Sequence, residues 1–76
     1  MEQIFTFGPD HHDEAEGQSL GGHYVRVIAD GKEMCRSLMF AVFGKQWSFQ
    51  YDPEELPAME EKYNIKCYGT ITWKRN

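Results

Sequence analysis

The hydrophobic pattern changes period several times along the 76 residues, and each change marks an element. Gln3-Ile4-Phe5-Thr6-Phe7 is β-branched and aromatic and predicts a short strand that stops at Gly8-Pro9. From Asp10 to Gly22 the apolar period is lost among carboxylates and glycines, so an acidic, flexible loop is expected there. His23 to Ala29 alternates, with Val25, Val27 and Ala29 on one face and Tyr24, Arg26 and Ile28 on the other.

A period of 3.6 takes over from Asp30 to Phe43. Met34, Cys35, Leu38, Met39, Val42 and Phe43 fall on one apolar arc, and Phe40 lies outside it. Asp30 and Glu33 have the spacing of a capping box, and Gly44 suits the residue that ends a helix. Gln46 to Tyr51 alternates again, with Trp47, Phe49 and Tyr51 together. Asp52-Pro53-Glu54-Glu55 has the make-up of a helix start, and Pro57 divides the segment into a turn and a short helix through Tyr63. The last strand is predicted over Ile65–Trp73, with Ile65, Cys67, Ile71 and Trp73 inward and Lys66, Tyr68, Thr70 and Thr72 outward.

The order β-β-α-β-α-β predicts one small α+β domain over residues 1–76. Its sheet is expected to have four mostly antiparallel strands, with one long and one short helix on one face. The other face would carry Thr6, Tyr24, Arg26, Ser48, Gln50, Tyr68, Thr70 and Thr72.

Composition narrows the function. Hydrophobic residues are 41% of the chain and aromatics 14%, enough for a core in a domain of this size. Eight basic against twelve acidic residues give a net charge of -4, which argues against direct binding to nucleic acid. No apolar run is long enough to span a bilayer, so no membrane association is expected. The opening MEQIFTFGPD lacks the basic and apolar regions of a signal peptide. Cys35 and Cys67 are too few for a disulfide framework, and a reducing, cytoplasmic setting fits. Both cysteines fall on inner faces and read as small hydrophobes.

Candidate chemistry lies in four places. His11, His12 and His23 with nearby carboxylates are of metal-ligand type, although adjacent histidines on a loop are poor at sharing one ion. Tyr24, Arg26, Gln50 and Tyr68 on the expected open sheet face could stack on and hydrogen-bond a nucleotide, with an oligomer such as a homodimer needed to deepen the site. Eleven of the twelve acids fall in residues 1–30 and 52–61, so Asp13, Glu14, Glu16, Glu54, Glu55, Glu60 and Glu61 could face a basic groove on a partner. Phe40, outward beside Arg36, could anchor such a contact. No nucleophile–base pair, phosphate loop or cofactor motif is present, so neither an enzyme nor a cofactor is expected.

Met39-Phe40-Ala41-Val42-Phe43-Gly44-Lys45-Gln46-Trp47-Ser48-Phe49-Gln50-Tyr51, with Ile4-Phe5-Thr6-Phe7-Gly8, Tyr24-Val25 and Glu61-Lys62-Tyr63, resembles a group of short uncharacterised phage and prophage proteins. They share the pattern YTFGF…H…YV…MFxxFGxKWxFQY…EKYG. The present chain departs from it at Pro9 and in the acidic loop. The resemblance implies a mobile-element origin. By association, it implies a cytoplasmic inhibitor of a host defence protein or nuclease, in the manner of anti-CRISPR proteins.

Overall fold

A computed structural model describes residues 1–73 of the chain. Strand β1 (Glu2–Thr6) pairs antiparallel with β2 (His23–Ile28) on one side and with β3 (Phe49–Tyr51) on the other. After helix α1 (Lys32–Phe43), β3, a 3-10 turn (Pro53–Glu55) and helix α2 (Leu56–Tyr63), the chain returns as β4 (Lys66–Thr72), parallel to β2. The sheet order is β3-β1-β2-β4. The α+β class, the four strands and the long and short helices are as the sequence predicts. The sheet is mixed, with two antiparallel pairings and one parallel.

The helices do not share a face. Ile4 and Phe5 are neighbours in β1, so their side chains point to opposite sides of the sheet, yet both are fully buried. Phe5 packs with Val25, Val27 and Ala29 against Cys35, Met39 and Phe43 of α1. Ile4 packs with Tyr24 against Leu56 and Met59 of α2, edged by Tyr51 and Ile65. Each fully buried apolar side chain of this kind contributes about 1.5–3 kcal/mol. The sheet therefore has a core on both sides, and the expected open face is half covered by α2. Tyr24, expected on that open face, is only 5% exposed.

Helix α1 buries a narrower stripe than its apolar arc. Cys35, Met39 and Phe43 go in at four-residue steps, Met34 and Leu38 are half-buried, and Val42 is exposed. Its N-cap is Gly31 in extended conformation, with no side-chain cap, one residue later than the Asp30 that the sequence predicts as cap. The box motif works instead at Asp52, whose N–H donates to the Glu55 carboxylate at 3.0 Å. Gly44 ends α1 at φ +61°, and its N–H donates to the Phe40 carbonyl at 3.0 Å.

A bulge in β4 decides which side chains face which helix. Tyr24 is opposite Cys67 and Val25 is opposite Gly69, so Tyr68 is an extra residue on the β4 side. Before the bulge, Ile65 packs with the α2 core. After it, Tyr68, Ile71 and Trp73 pack with the α1 core. The simple alternation predicted for Ile65–Trp73 is therefore wrong on two counts: Tyr68 packs inward, and Cys67 is exposed. Cys35 is buried as expected, its thiol 3.7 Å from the Val27 carbonyl oxygen.

The Gln46–Tyr51 alternation also breaks. Only Phe49–Tyr51 is strand. Trp47 sits edge-on to Phe5, ring centroids 5.1 Å apart, on the α1 side. Phe49 and Tyr51 lie with Thr6 on the α2 side.

The acidic loop has a hydrogen-bonded framework. Gly8 N–H donates to His11 Nδ1 at 2.8 Å, Asp13 N–H to the Gln18 carbonyl at 2.8 Å, and Leu20 N–H to the His11 carbonyl at 2.9 Å. Gly17 turns the chain at φ +70°, where a side chain would be strained. Leu20, the lone large apolar residue of this stretch, is fully buried in the α1 core.

Candidate partner-binding site

His23, the first residue of β2, stands where the acidic loop meets the sheet. Its ring lies edge-on to Tyr68 at 5.8 Å, and its Nδ1 is 3.1 Å from the Gly21 carbonyl oxygen. A concavity opens on each side of it.

One is a shallow polar depression lined by Asp13, Glu16, Gln18, His23, Cys67 and Tyr68. Tyr68 donates its hydroxyl to the Asp13 carboxylate at 2.8 Å, and the Ala15 and Glu16 amides donate to the same carboxylate at 3.0 and 3.4 Å. The Tyr68 hydroxyl chiefly, helped by the two amides, holds the Asp13 carboxyl below the usual carboxylate range. The same bond raises the Tyr68 phenol above its ordinary value.

The other is an apolar groove of about 600 Å³ on the α2 side of the sheet. Its walls are Thr6, Phe49 and Tyr51 from the strands, Met59 and Tyr63 from α2, Ile65 leading into β4, and the loop backbone around Pro9 and Gly21. Phe49 and Tyr63 are 62% and 60% exposed. β3 is an edge strand of only three residues, too short to bury all the aromatic residues that its sequence supplies. Helix α2 is short, so after Leu56 and Met59 it has no further sheet to cover and leaves Tyr63 at the rim.

The acids of residues 52–61 divide by position. Asp52 accepts from Gln3 Nε2 at 2.8 Å and lies 3.5 Å from Lys32 Nζ, and these contacts, Gln3 foremost, hold its carboxyl low. Glu55 closes the turn on Asp52. Glu54, Glu60 and Glu61 are exposed, and none of them forms an ion pair among the described residues. Asp13, Glu14 and Glu16 also stand on the surface, but around the polar depression rather than along α2. Phe40 is 48% exposed, with its ring edge-on to Trp47 at 5.1 Å and the Arg36 guanidinium over both rings. It is thus on the outer side of α1, away from the α2 acids.

Two other groupings come apart. Tyr24 is buried under α2, and Arg26 on the same side is paired with Glu2 at 2.8 Å. Gln50 instead donates to Gln3 and to the Lys32 carbonyl, and Tyr68 packs with the α1 core. The four residues expected to form a nucleotide platform are therefore divided between the two faces of the sheet. His11, His12 and His23 do not gather either: His11 is tied to Gly8, His12 bridges to Ser19, and His23 lies edge-on to Tyr68. Among the described residues no three His, Cys, Asp or Glu side chains are grouped to hold a metal.

Phe49, Met59 and Tyr63 were not singled out by the sequence as site residues. The available signal was stoichiometric: Trp47, Phe49 and Tyr51 on one short strand are more aromatic area than a single face could hide. No helix among the described residues is long and apolar enough to cross a membrane. The chain matches no protein family, no curated protein and no solved structure.

Proposed function

We propose that this chain is a non-catalytic binding protein that inhibits a host defence factor, as anti-CRISPR proteins do, by covering a basic groove with an acidic surface. One observation carries the reading: the turn and α2 direct Leu56 and Met59 to the sheet and Glu54, Glu60 and Glu61 to solvent. Residues 52–63 hold five carboxylates against Lys62, an uneven charge that helix stability does not require. Exposed carboxylates with no ion pair among the described residues keep their field for a partner and speed its approach. The phage-like sequence pattern supports the choice of a host defence protein or nuclease as that partner. The acids at Asp13, Glu14 and Glu16 would widen the charged surface rather than form its centre.

The test is capture from a bacterial host lysate with the tagged chain, set against Glu54→Lys/Glu61→Lys. Both positions are exposed, so the fold should survive, as a melting curve would verify. A stoichiometric defence complex or nuclease that binds the wild type, is inhibited by it and is lost in the variant is the expected result. A wild-type chain that recovers nothing, or a partner indifferent to the reversal and to salt, overturns the proposal.

A further inference from the structure

The acidic helix lies beside the sizeable apolar concavity on the α2 side, and the two features share residues: Met59 and Tyr63 are wall and helix at once. We propose that the groove between Phe49 and Tyr63 takes a polypeptide segment of the partner in which one apolar side chain is flanked by lysine or arginine. Such a segment presupposes the inhibitor reading and specifies what the acidic surface would hold.

Charge complementarity selects this occupant. The exposed rings of Phe49 and Tyr63, over the buried Met59, offer an apolar seat where an aromatic or aliphatic anchor would displace water from the two rings that folding has left out. Glu60 stands three residues before the rim residue Tyr63, one turn away on the same side of α2 and within reach of a cationic flank, and Glu61 adds its charge next to it. The helix's own cation is already placed, with Lys62 Nζ 5.2 Å from the Tyr63 ring centroid. A second copy of the chain fits less well. A two-fold contact through the groove would bring residues 52–63 against themselves, acid on acid. A nucleic-acid backbone would meet the same repulsion.

The probe is a set of synthetic peptides with a central Leu, Phe or Trp between lysines or arginines. Two matched sets carry glutamate flanks or a central serine. Fluorescence anisotropy reads affinity, and amide shifts in NMR read the place. Binding is expected only for the basic peptides with an apolar centre, with shifts at Thr6, Gly21, Tyr51 and Met59. Phe49→Ser and Tyr63→Ser should each weaken it by about tenfold or more. Lys62→Gln should strengthen it, because a competing cation leaves the rim. Binding that ignores the central residue, shifts centred on Phe40 and Trp47, or no binding by any peptide overturns the proposal. So does a dimer in sedimentation that Phe49→Ser dissolves, which would give the groove to a second copy. A host protein still captured by Phe49→Ser and Tyr63→Ser but lost in the Glu54/Glu61 reversal would overturn this site alone and leave the inhibitor reading standing.

Discussion

Tyr68 reaches across to Asp13 with a 2.8 Å hydrogen bond and joins the bulge of β4 to the acidic loop, 55 positions earlier in the chain. The bulge makes this possible. As the extra residue, Tyr68 packs on the α1 side with Phe43, rings 6.3 Å apart, and its hydroxyl comes out at the loop. Asp13 also accepts from two amides of its own turn, so the phenol is one of three donors that hold the turn closed. Tyr68→Phe should keep the fold while speeding hydrogen exchange of the loop amides from Asp13 to Leu20. In the same variant, the Asp13 carboxyl titrated by NMR should move up toward the ordinary carboxylate range. An unchanged titration would show that the amides alone set it.

Stability should respond to pH in a direction fixed by these bonds. The carboxyls of Asp13 and Asp52 are both held low in the folded chain. A depressed carboxyl contributes stability above its unfolded value, and that contribution is lost as pH falls through the folded one. Urea midpoints should therefore be level near neutrality and fall below about pH 4. Tyr68 and Tyr24 are raised, by the Asp13 bond and by burial respectively. Their contribution is whole below the unfolded phenol value and declines above about pH 10. Asp13→Asn should flatten part of both limbs. An acid limb unchanged in both Asp13→Asn and Asp52→Asn would assign it elsewhere.

The cysteines provide a direct check on which faces are covered. Burial raises the Cys35 thiol and places it beneath α1, whereas Cys67 is exposed on β4. Iodoacetamide at neutral pH should modify Cys67 alone in the native chain, and Cys35 only after denaturant is added. Equal rates at the two positions would contradict the burial of Cys35 between α1 and the sheet.

Strong local signals carried the fold class, and long-range pairing carried what the sequence did not show. Cys35, Met39 and Phe43 repeat every four residues and can satisfy only a helix, so α1 was legible. Pro57 and Asn64 bracket α2 in the same way, the latter in left-handed conformation at φ +53°. The two-sided core was written less plainly, in the adjacent apolar pairs Ile4-Phe5 and Tyr24-Val25, which a sheet with one wet face would not need. The bulge had no local mark beyond Gly69. A one-residue insertion is fixed by what β2 offers across the sheet, and it reverses every side chain after it. The candidate groove was hidden for the same reason, because it depends on α2 crossing to the face that the alternation left polar.

Leu20 tests how far the acidic loop belongs to the core. It is fully buried among residues of the α1 side, and its N–H is fixed to the His11 carbonyl. Leu20→Ala should cost about 2–5 kcal/mol, as for any buried leucine that leaves a cavity. A chain of this size has only a few kcal/mol to lose, so urea unfolding should shift to very low midpoints or the variant should be unfolded outright. Glu14→Ala, exposed on the same loop, should change stability by less than about 0.5 kcal/mol. A Leu20→Ala midpoint as high as that of Glu14→Ala would detach the loop from the core.

The bulge itself yields the sharpest contrast between two neighbouring positions. Deleting Tyr68 would leave a plain ladder in which Gly69 still faces Val25 and Ile71 still faces Val27, so the α1 core keeps Ile71 and Trp73 and loses the Tyr68 ring and its bond to Asp13. Losing one half-buried aromatic ring should cost about 1–3 kcal/mol, so the deletion should lower the melting temperature yet keep a cooperative transition. Gly69, the next residue, has open space where a Cβ would stand and no positive φ. Gly69→Ala should therefore leave stability within about 0.5 kcal/mol of the parent or raise it, since alanine loses less chain entropy on folding. Thermal melts of the two variants side by side decide the matter. A deletion variant with no cooperative transition would mean that Tyr68 is a regular member of the ladder, whose removal turns Ile71 and Trp73 away from the α1 core, and the bulge would then be incorrect.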